Sequence, residues 1–254
     1  MHIDLNSDMG ESYGAYTIGA DDEVLRWVTS ANVACGWHGG DPAVMRRTIQ
    51  RAKQLGVRVG AHPSYPDLLG FGRRVMQITR QEARDYILYQ IGALRAFAEA
   101  LRVPLQHVKP HGAIYNAAVK DRELSLGIAE GVADAGGGLI LVGLPGSELV
   151  RAGREVGLRV AREAFGDRAY TEDGTLVSRK TAGSLITDPD AVAERVLGFT
   201  RGTVWAITGK EIRIEVDTIC LHGDTPGAGT IARRVRERLD AAGITPKPLG
   251  EFVR

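Results

Sequence analysis

The feature that most constrains this chain is a regular alternation, from end to end, of short apolar runs with longer stretches of helical periodicity. Strands are expected near residues 2–7, 29–35, 57–62, 105–110, 139–143, 158–163 and 216–222, with helices between them. A βα series of about seven units means a parallel sheet, because the crossover helix returns the chain to start a parallel neighbour. Such a sheet is either closed as a barrel or open and doubly wound. No glycine fingerprint opens a nucleotide fold at the first turn, and polar residues end most strands rather than one or two. Both observations favour an irregular, TIM-like seven-stranded β/α barrel. No linker, repeat or low-complexity segment interrupts the order, so residues 1–254 form one domain, a usual length for a barrel.

Local signals mark the helix ends. Asp41-Pro42 reads as an N-cap followed by proline in the first turn, and Gly56 closes that helix. Thr79 and Glu82 form a capping-box pattern, after which Ile87, Ile91, Leu94, Ala98 and Leu101 share one face. Asp188-Pro189 and Thr225-Pro226 repeat the cap-then-proline signal. Residues 203–216 alternate apolar residues around Thr208-Gly209 and read as an inserted hairpin.

Side chains alternate faces along a strand. In five of the strands one face is apolar and the other polar: Asp4, Asn6 and Asp8; Ser30 and Asn32; His62; His107, Lys109 and His111; Cys220, His222 and Asp224. The apolar faces suit packing under helices, which turns the polar ones toward the barrel interior or rim. An unpartnered buried polar group costs about 1–3 kcal/mol, so five strands do not adopt this pattern for stability alone. Asp8, His38, His62, His111 and Asp224 fall at or just beyond carboxyl strand ends, where barrels carry their chemistry. Taken singly, each histidine has an equally good structural reading, and Asp4, Asn6 and Asn32 lie deep enough for a structural hydrogen-bond network. Cys35, before Gly36 and His38, reads as a small packed residue rather than a nucleophile. After the sixth strand a long charged loop brings Glu163, Arg179 and Lys180, and the GFGRR segment brings Arg73 and Arg74, as candidates for holding a carboxylate or phosphate.

A formal charge of +1 argues against a nucleic-acid or anionic-membrane binder. The two cysteines have no disulfide or zinc-knuckle spacing, and MHIDLNSD resembles neither signal peptide nor anchor, so a cytoplasmic address is expected. No G-x-x-x-x-G-K-[ST] loop, H-E-x-x-H or G-x-S-x-G is present.

Six blocks together carry a family resemblance: DLNSDMGES (4–12), ANVACGWHGGDP (31–42), GAHPSYPDLLGFGRR (60–74), HVKPHGAIYN (107–116), EAFGDRAYTEDGTLVSRK (163–180) and CLHGDTPGA (220–228). In order and over nearly the whole chain, they resemble the LamB/YcsF family. The resemblance implies a distorted β/α barrel related to sugar-processing and deacetylase enzymes. It also implies the A subunit of an ATP-dependent 5-oxoprolinase, which opens 5-oxo-L-proline to L-glutamate together with partner B and C subunits; these are expected to bind ATP and activate the lactam. Within that frame Asp8 or His62 is the expected base, with His111 and Asp224 as acid or orienting groups. His38, Lys109, Glu163, Arg179 and His222 are expected to bind substrate, with the helix start after Thr225 aiding Lys109 in stabilising negative charge. Two other readings stay open. One is a metal-dependent amide or sugar deacetylase using Asp8, His38, His62, His111 and His222 on a divalent ion. The other is a non-catalytic component that only presents substrate.

Overall fold

The computed structural model describes residues 2–254. Seven parallel strands close into a barrel: β1 (Asp4–Met9), β2 (Ser30–Ala34), β3 (Arg58–His62), β4 (Leu105–Val108), β5 (Ile140–Gly143), β6 (Arg159–Phe165) and β9 (Thr218–Cys220), the last pairing with both β6 and β1. The intervening β7 (Thr203–Trp205) and β8 (Glu211–Arg213) pair antiparallel outside the barrel, as the alternation around Thr208-Gly209 predicts.

Helices α1 (Asp21–Val24), α2 (Pro42–Leu55), α3 (Arg80–Ala100), α4 (Gly112–Ala117), α5 (Arg122–Ala135), α6 (Glu148–Glu155), α7 (Pro189–Thr200) and α8 (Ala228–Ala241) surround it. Asp41 caps α2 through the Ala43 and Val44 amides, Gly56 ends it in the left-handed region, and Thr79 with Glu82 completes a capping box on α3. One start is not where the sequence suggests. Thr225-Pro226 does not cap α8, which begins at Ala228 with Gly227 at its N-cap. The Thr225 hydroxyl turns instead to Asp167 Oδ2, at 3.2 Å. Among the described residues no helix is long and apolar enough to cross a membrane.

The outward strand residues Leu5, Val33, Val59, Val108, Leu141 and Ile219 are buried in the apolar layer under the helices. The inward residues form a polar network. Asp4 accepts hydrogen bonds from Thr29 (2.6 Å), Ser30 (2.7 Å) and Thr218 (2.6 Å). Asn6 donates to Thr218 and Glu163, and Asn32 donates to Asn6. His107 Nε2 donates to Asn32 Oδ1 at 2.6 Å. Strand β3 leaves room for that imidazole by carrying no side chain at Gly60, where a Cβ would lie 2.2 Å from His107 Nε2. At the amino ends of the strands the chain terminus folds back. Leu249 packs on Ile140, Val142 and Ala161, and the Gly250 amide bonds Gln106. The barrel is therefore closed at its base, and its polar column rises toward the carboxyl ends.

Candidate active site

The column ends in a cavity of about 710 Å³ lined by residues from loops after β1, β3, β4, β6 and β9. At its floor Lys109 Nζ lies 2.9 Å from Asp8 Oδ1, 2.9 Å from Glu163 Oε1 and 3.1 Å from Cys220 Sγ. Burial opposes this ammonium, but Asp8 and Glu163 beside it hold its pKa well above the ordinary lysine value. Burial likewise opposes the Asp8 carboxylate, and the facing His62 and Lys109 outweigh it, keeping the carboxyl well below its usual range. Asn32 Nδ2 donates to Asp8 Oδ1 at 2.8 Å, and His62 Nε2 stands 3.3 Å from Oδ2. Asp8 is thus a pre-oriented anion, with 12% of its side chain open to the cavity.

Behind it lies a histidine cluster. His62 Nδ1 donates to the Lys109 carbonyl (2.6 Å), and His111 Nε2 donates to the Phe71 carbonyl (2.9 Å). The remaining nitrogens, His62 Nε2 and His111 Nδ1, face each other at 3.0 Å. Glu11 Oε1 is 3.2 Å from His111 Nδ1 and 3.2 Å from His38 Nε2, and the His38 ring stacks on His111 at 3.8 Å. Burial depresses the pKa of both His38 and His111 far below that of a free imidazole, helped by repulsion among the rings. Glu11, His38, His62 and His111 each offer a ligand atom within 4.8 Å of the others, so this cluster has the donors to hold a metal ion. Its loop reaches Glu11 only because Gly39 passes close by: a Cβ there would meet the Glu11 carbonyl oxygen at 2.5 Å.

A further imidazole stands beside Asp8, just beyond the neighbouring strand β9. His222 Nδ1 lies 2.7 Å from Asp167 Oδ1, and this neighbour, against the effect of burial, lowers the Asp167 pKa. With Nδ1 committed to the carboxylate, Nε2 is the nitrogen left for a ligand. The mouth is cationic. Arg73, Lys120, Arg168, Arg179 and Lys180 line it, and Arg73 pairs with Asp224 at 3.1 Å. Arg168 is largely buried and donates to the Val177 carbonyl, while its Nε finds no partner among the described residues.

The fold has a full-length counterpart in the crystal structure of a lactam utilization protein from Thermus thermophilus. It superposes with a TM-score of 0.93 at 48% identity, covering 97% of this chain and 99% of that one. The curated relatives include a protein from Pyrococcus furiosus named as the A subunit of 5-oxoprolinase, 55% identical with both chains fully covered. Another of that name, from Halalkalibacterium halodurans, is 50% identical over 99% of this chain and 98% of its own. The LamB/YcsF family model matches residues 3–254. The chain belongs to the LamB/YcsF family.

Five of the six LamB/YcsF blocks supply the cavity wall and the sixth, 31–42, lies behind it through His38, so their residues divide into three groups. Asp8, His62, His111, Lys109 and His222 line the cavity, with Arg179 and Asp224 at its mouth. His38 and Glu163 do not line it: His38 lies behind His111, and Glu163, fully buried, is held beneath the floor by Lys109, Asn6 and Tyr115. Contact of either with a substrate is therefore not part of this geometry. Arg74 is turned away, spent on Asp67. Cys35 is buried, and burial pushes its thiol up to about 12, so it packs rather than reacts. Strand alternation passes over Glu11, Asp167, Arg168 and Tyr115. Glu11 and Asp167 lie just beyond β1 and β6, past the reach of period-two patterning, though both belong to the blocks that carry the resemblance.

Proposed function

We propose that this chain is the A subunit of an ATP-dependent 5-oxoprolinase and completes the opening of an activated 5-oxo-L-proline ring to L-glutamate. The observation that carries this reading is the placement of Asp8 and His222 side by side in one cavity, with a carboxylate oxygen and a ring nitrogen within 4.8 Å of each other. Each has its other side held by the protein, and a cationic mouth lies above them. An unstrained lactam resists water; a phosphoryl group on its carbonyl oxygen makes that carbon a far better electrophile. The activating transfer from ATP is assigned to the partner B and C subunits, in keeping with the lack of a P-loop here. Water then adds to the activated carbon, the C–N bond breaks as the nitrogen takes a proton, and a second water hydrolyses the resulting γ-glutamyl phosphate to glutamate and inorganic phosphate.

In this scheme Asp8 orients and deprotonates water, a modest demand once the carbonyl is activated. His222, held in one tautomer by Asp167, donates to the departing nitrogen. Arg168, Arg179 and Lys180 receive phosphate and the substrate carboxylate, and Asp224 positions Arg73 beside them. Lys109, His62 and His111 line the floor next to Asp8, while His38 and Glu163 act from behind it. The names of the 5-oxoprolinase relatives support both the reaction and the presence of further subunits. The reaction draws on a cytoplasmic metabolite pool and needs neither nucleic acid nor membrane.

The test is glutamate release from 5-oxoproline plus ATP, by this chain alone and then with the B and C subunits. Release that requires all three supports the assignment. Full release by B and C without this chain, or none from the folded mixture, removes it.

A further inference from the structure

Two backbone carbonyls fix more about the histidine cluster than the rings themselves do. A carbonyl oxygen only accepts, so His62 must carry its hydrogen on Nδ1 and His111 must carry its hydrogen on Nε2. In neutral rings the other two nitrogens then present bare lone pairs to each other across 3.0 Å. Lone pairs at that distance repel unless a cation stands between or beside them, and the carboxylate oxygen of Glu11 at 3.2 Å adds to the same negative focus. Ring nitrogens held from behind by N–H···O=C bonds are the usual arrangement of metal-ligating histidines, because the outer bond fixes the tautomer and aims the lone pair.

We propose that His62 Nε2, His111 Nδ1 and Glu11 Oε1 bind a divalent first-row metal ion of the zinc class. Two imidazole nitrogens and a carboxylate oxygen suit such an ion rather than magnesium or calcium, which prefer oxygen alone. His38 is not a ligand, although it lies within the same cluster. Its ring is parallel to His111 at 3.8 Å and 6°, and two face-stacked imidazoles cannot both aim an in-plane lone pair at one ion. His38 Nε2 donates instead to Glu11 Oε1, which leaves Nδ1 as a bare nitrogen, buried and without a partner among the described residues. Its part is to orient Glu11. Asp8 Oδ2 stands 3.3 Å from His62 Nε2, on the side that faces the cavity. An ion here would polarise a carbonyl or a water brought against Asp8. The site stands apart from the 5-oxoproline assignment, since ion binding is read without turnover.

The experiment is direct. The whole chain is stripped with chelator and dialysed, then titrated with Zn²⁺ by calorimetry and with Co²⁺ by visible absorption; folding is checked by circular dichroism. One ion per chain is expected, with Co²⁺ bands of a nitrogen- and oxygen-ligated site. His111→Ala and Glu11→Gln should each weaken binding by more than about a hundredfold, and His38→Ala by about 10–100-fold, the range for an outer partner of a ligand. Wild-type protein that binds no stoichiometric ion overturns the proposal, whatever the variants do. So does binding that survives His111→Ala but is lost in Cys220→Ser, which would place the ion on the separate Asp8, Cys220 and His222 group.

Discussion

Asp8 and Lys109 illustrate how much of the site depends on single side chains. Asp8→Asn keeps the shape of the carboxylate and one acceptor oxygen but removes its charge. Turnover with the B and C subunits should fall by at least about a hundredfold, the low end for a group that handles a proton. Single-turnover glutamate release checks this, and near-normal rates would take Asp8 out of the scheme. Lys109→Met leaves Asp8 and Glu163 as neighbouring buried carboxylates with no cation between them. Breaking a buried ion pair from one side costs about 3–5 kcal/mol, so the urea midpoint should drop by an amount equivalent to that. A midpoint within error of wild type would mean the pair contributes little. Sequence alone points to Asp8, His62, Lys109, His111 and His222 because alternation puts them on the polar faces of strands. It does not separate residues that line the cavity from those behind it. His38 and Glu163 differ from His111 and His222 only in what packs around them, and that is a property of neighbouring strands. Glu11 and Asp167 lie just past the ends of β1 and β6, where no periodicity assigns a direction.

At the scale of elements, the strands are legible because each carries an apolar face and a polar face, and most helices because a cap or a proline marks the start. The exception is instructive. Thr225-Pro226 has the chemistry of a helix start, yet its hydroxyl is drawn to Asp167 beyond β6, and α8 begins later. A local signal loses when a buried carboxylate nearby needs a donor. The inserted hairpin is recognisable from its turn residues, but its place outside the barrel is not. Strand β3 carries its own requirement. Gly60→Ala would push a methyl into the His107 ring, and the overpacking should destabilise the protein by about 1–3 kcal/mol. Thermal or urea unfolding of this variant measures it. Pairing it with His107→Ala, which vacates the space, should recover part of the loss, whereas strictly additive losses would argue against that contact.

For the molecule as a whole, the polar interior makes stability respond to pH in an uncommon direction. Burial raises the Asp4 pKa from 3.8 to about 6, despite the three hydroxyls that donate to it. A carboxyl whose folded pKa lies above its unfolded value contributes stability that is complete below the unfolded value and is lost as pH rises through the folded one. The Asp4 contribution should therefore decline between about pH 4 and pH 7. Asp8 acts in the opposite sense, so the effect is read as a difference: Asp4→Asn should gain on wild type across that window, by an amount on the order of 3 kcal/mol. Parallel pH–stability curves for the two proteins would show that Asp4 does not titrate in the fold.

The folding of the chain terminus across the base of the barrel also governs traffic. With Leu249 seated on Ile140, Val142 and Ala161, the polar column has its doorway at the carboxyl ends of the strands. Whatever occupies the cavity arrives and departs by the same route. For the proposed reaction this means that each cycle empties the chamber before the next guest is admitted, so a product that lingers competes with its own precursor. In the proposed reaction, a delivering partner docks over the rim and withdraws again to let the product out.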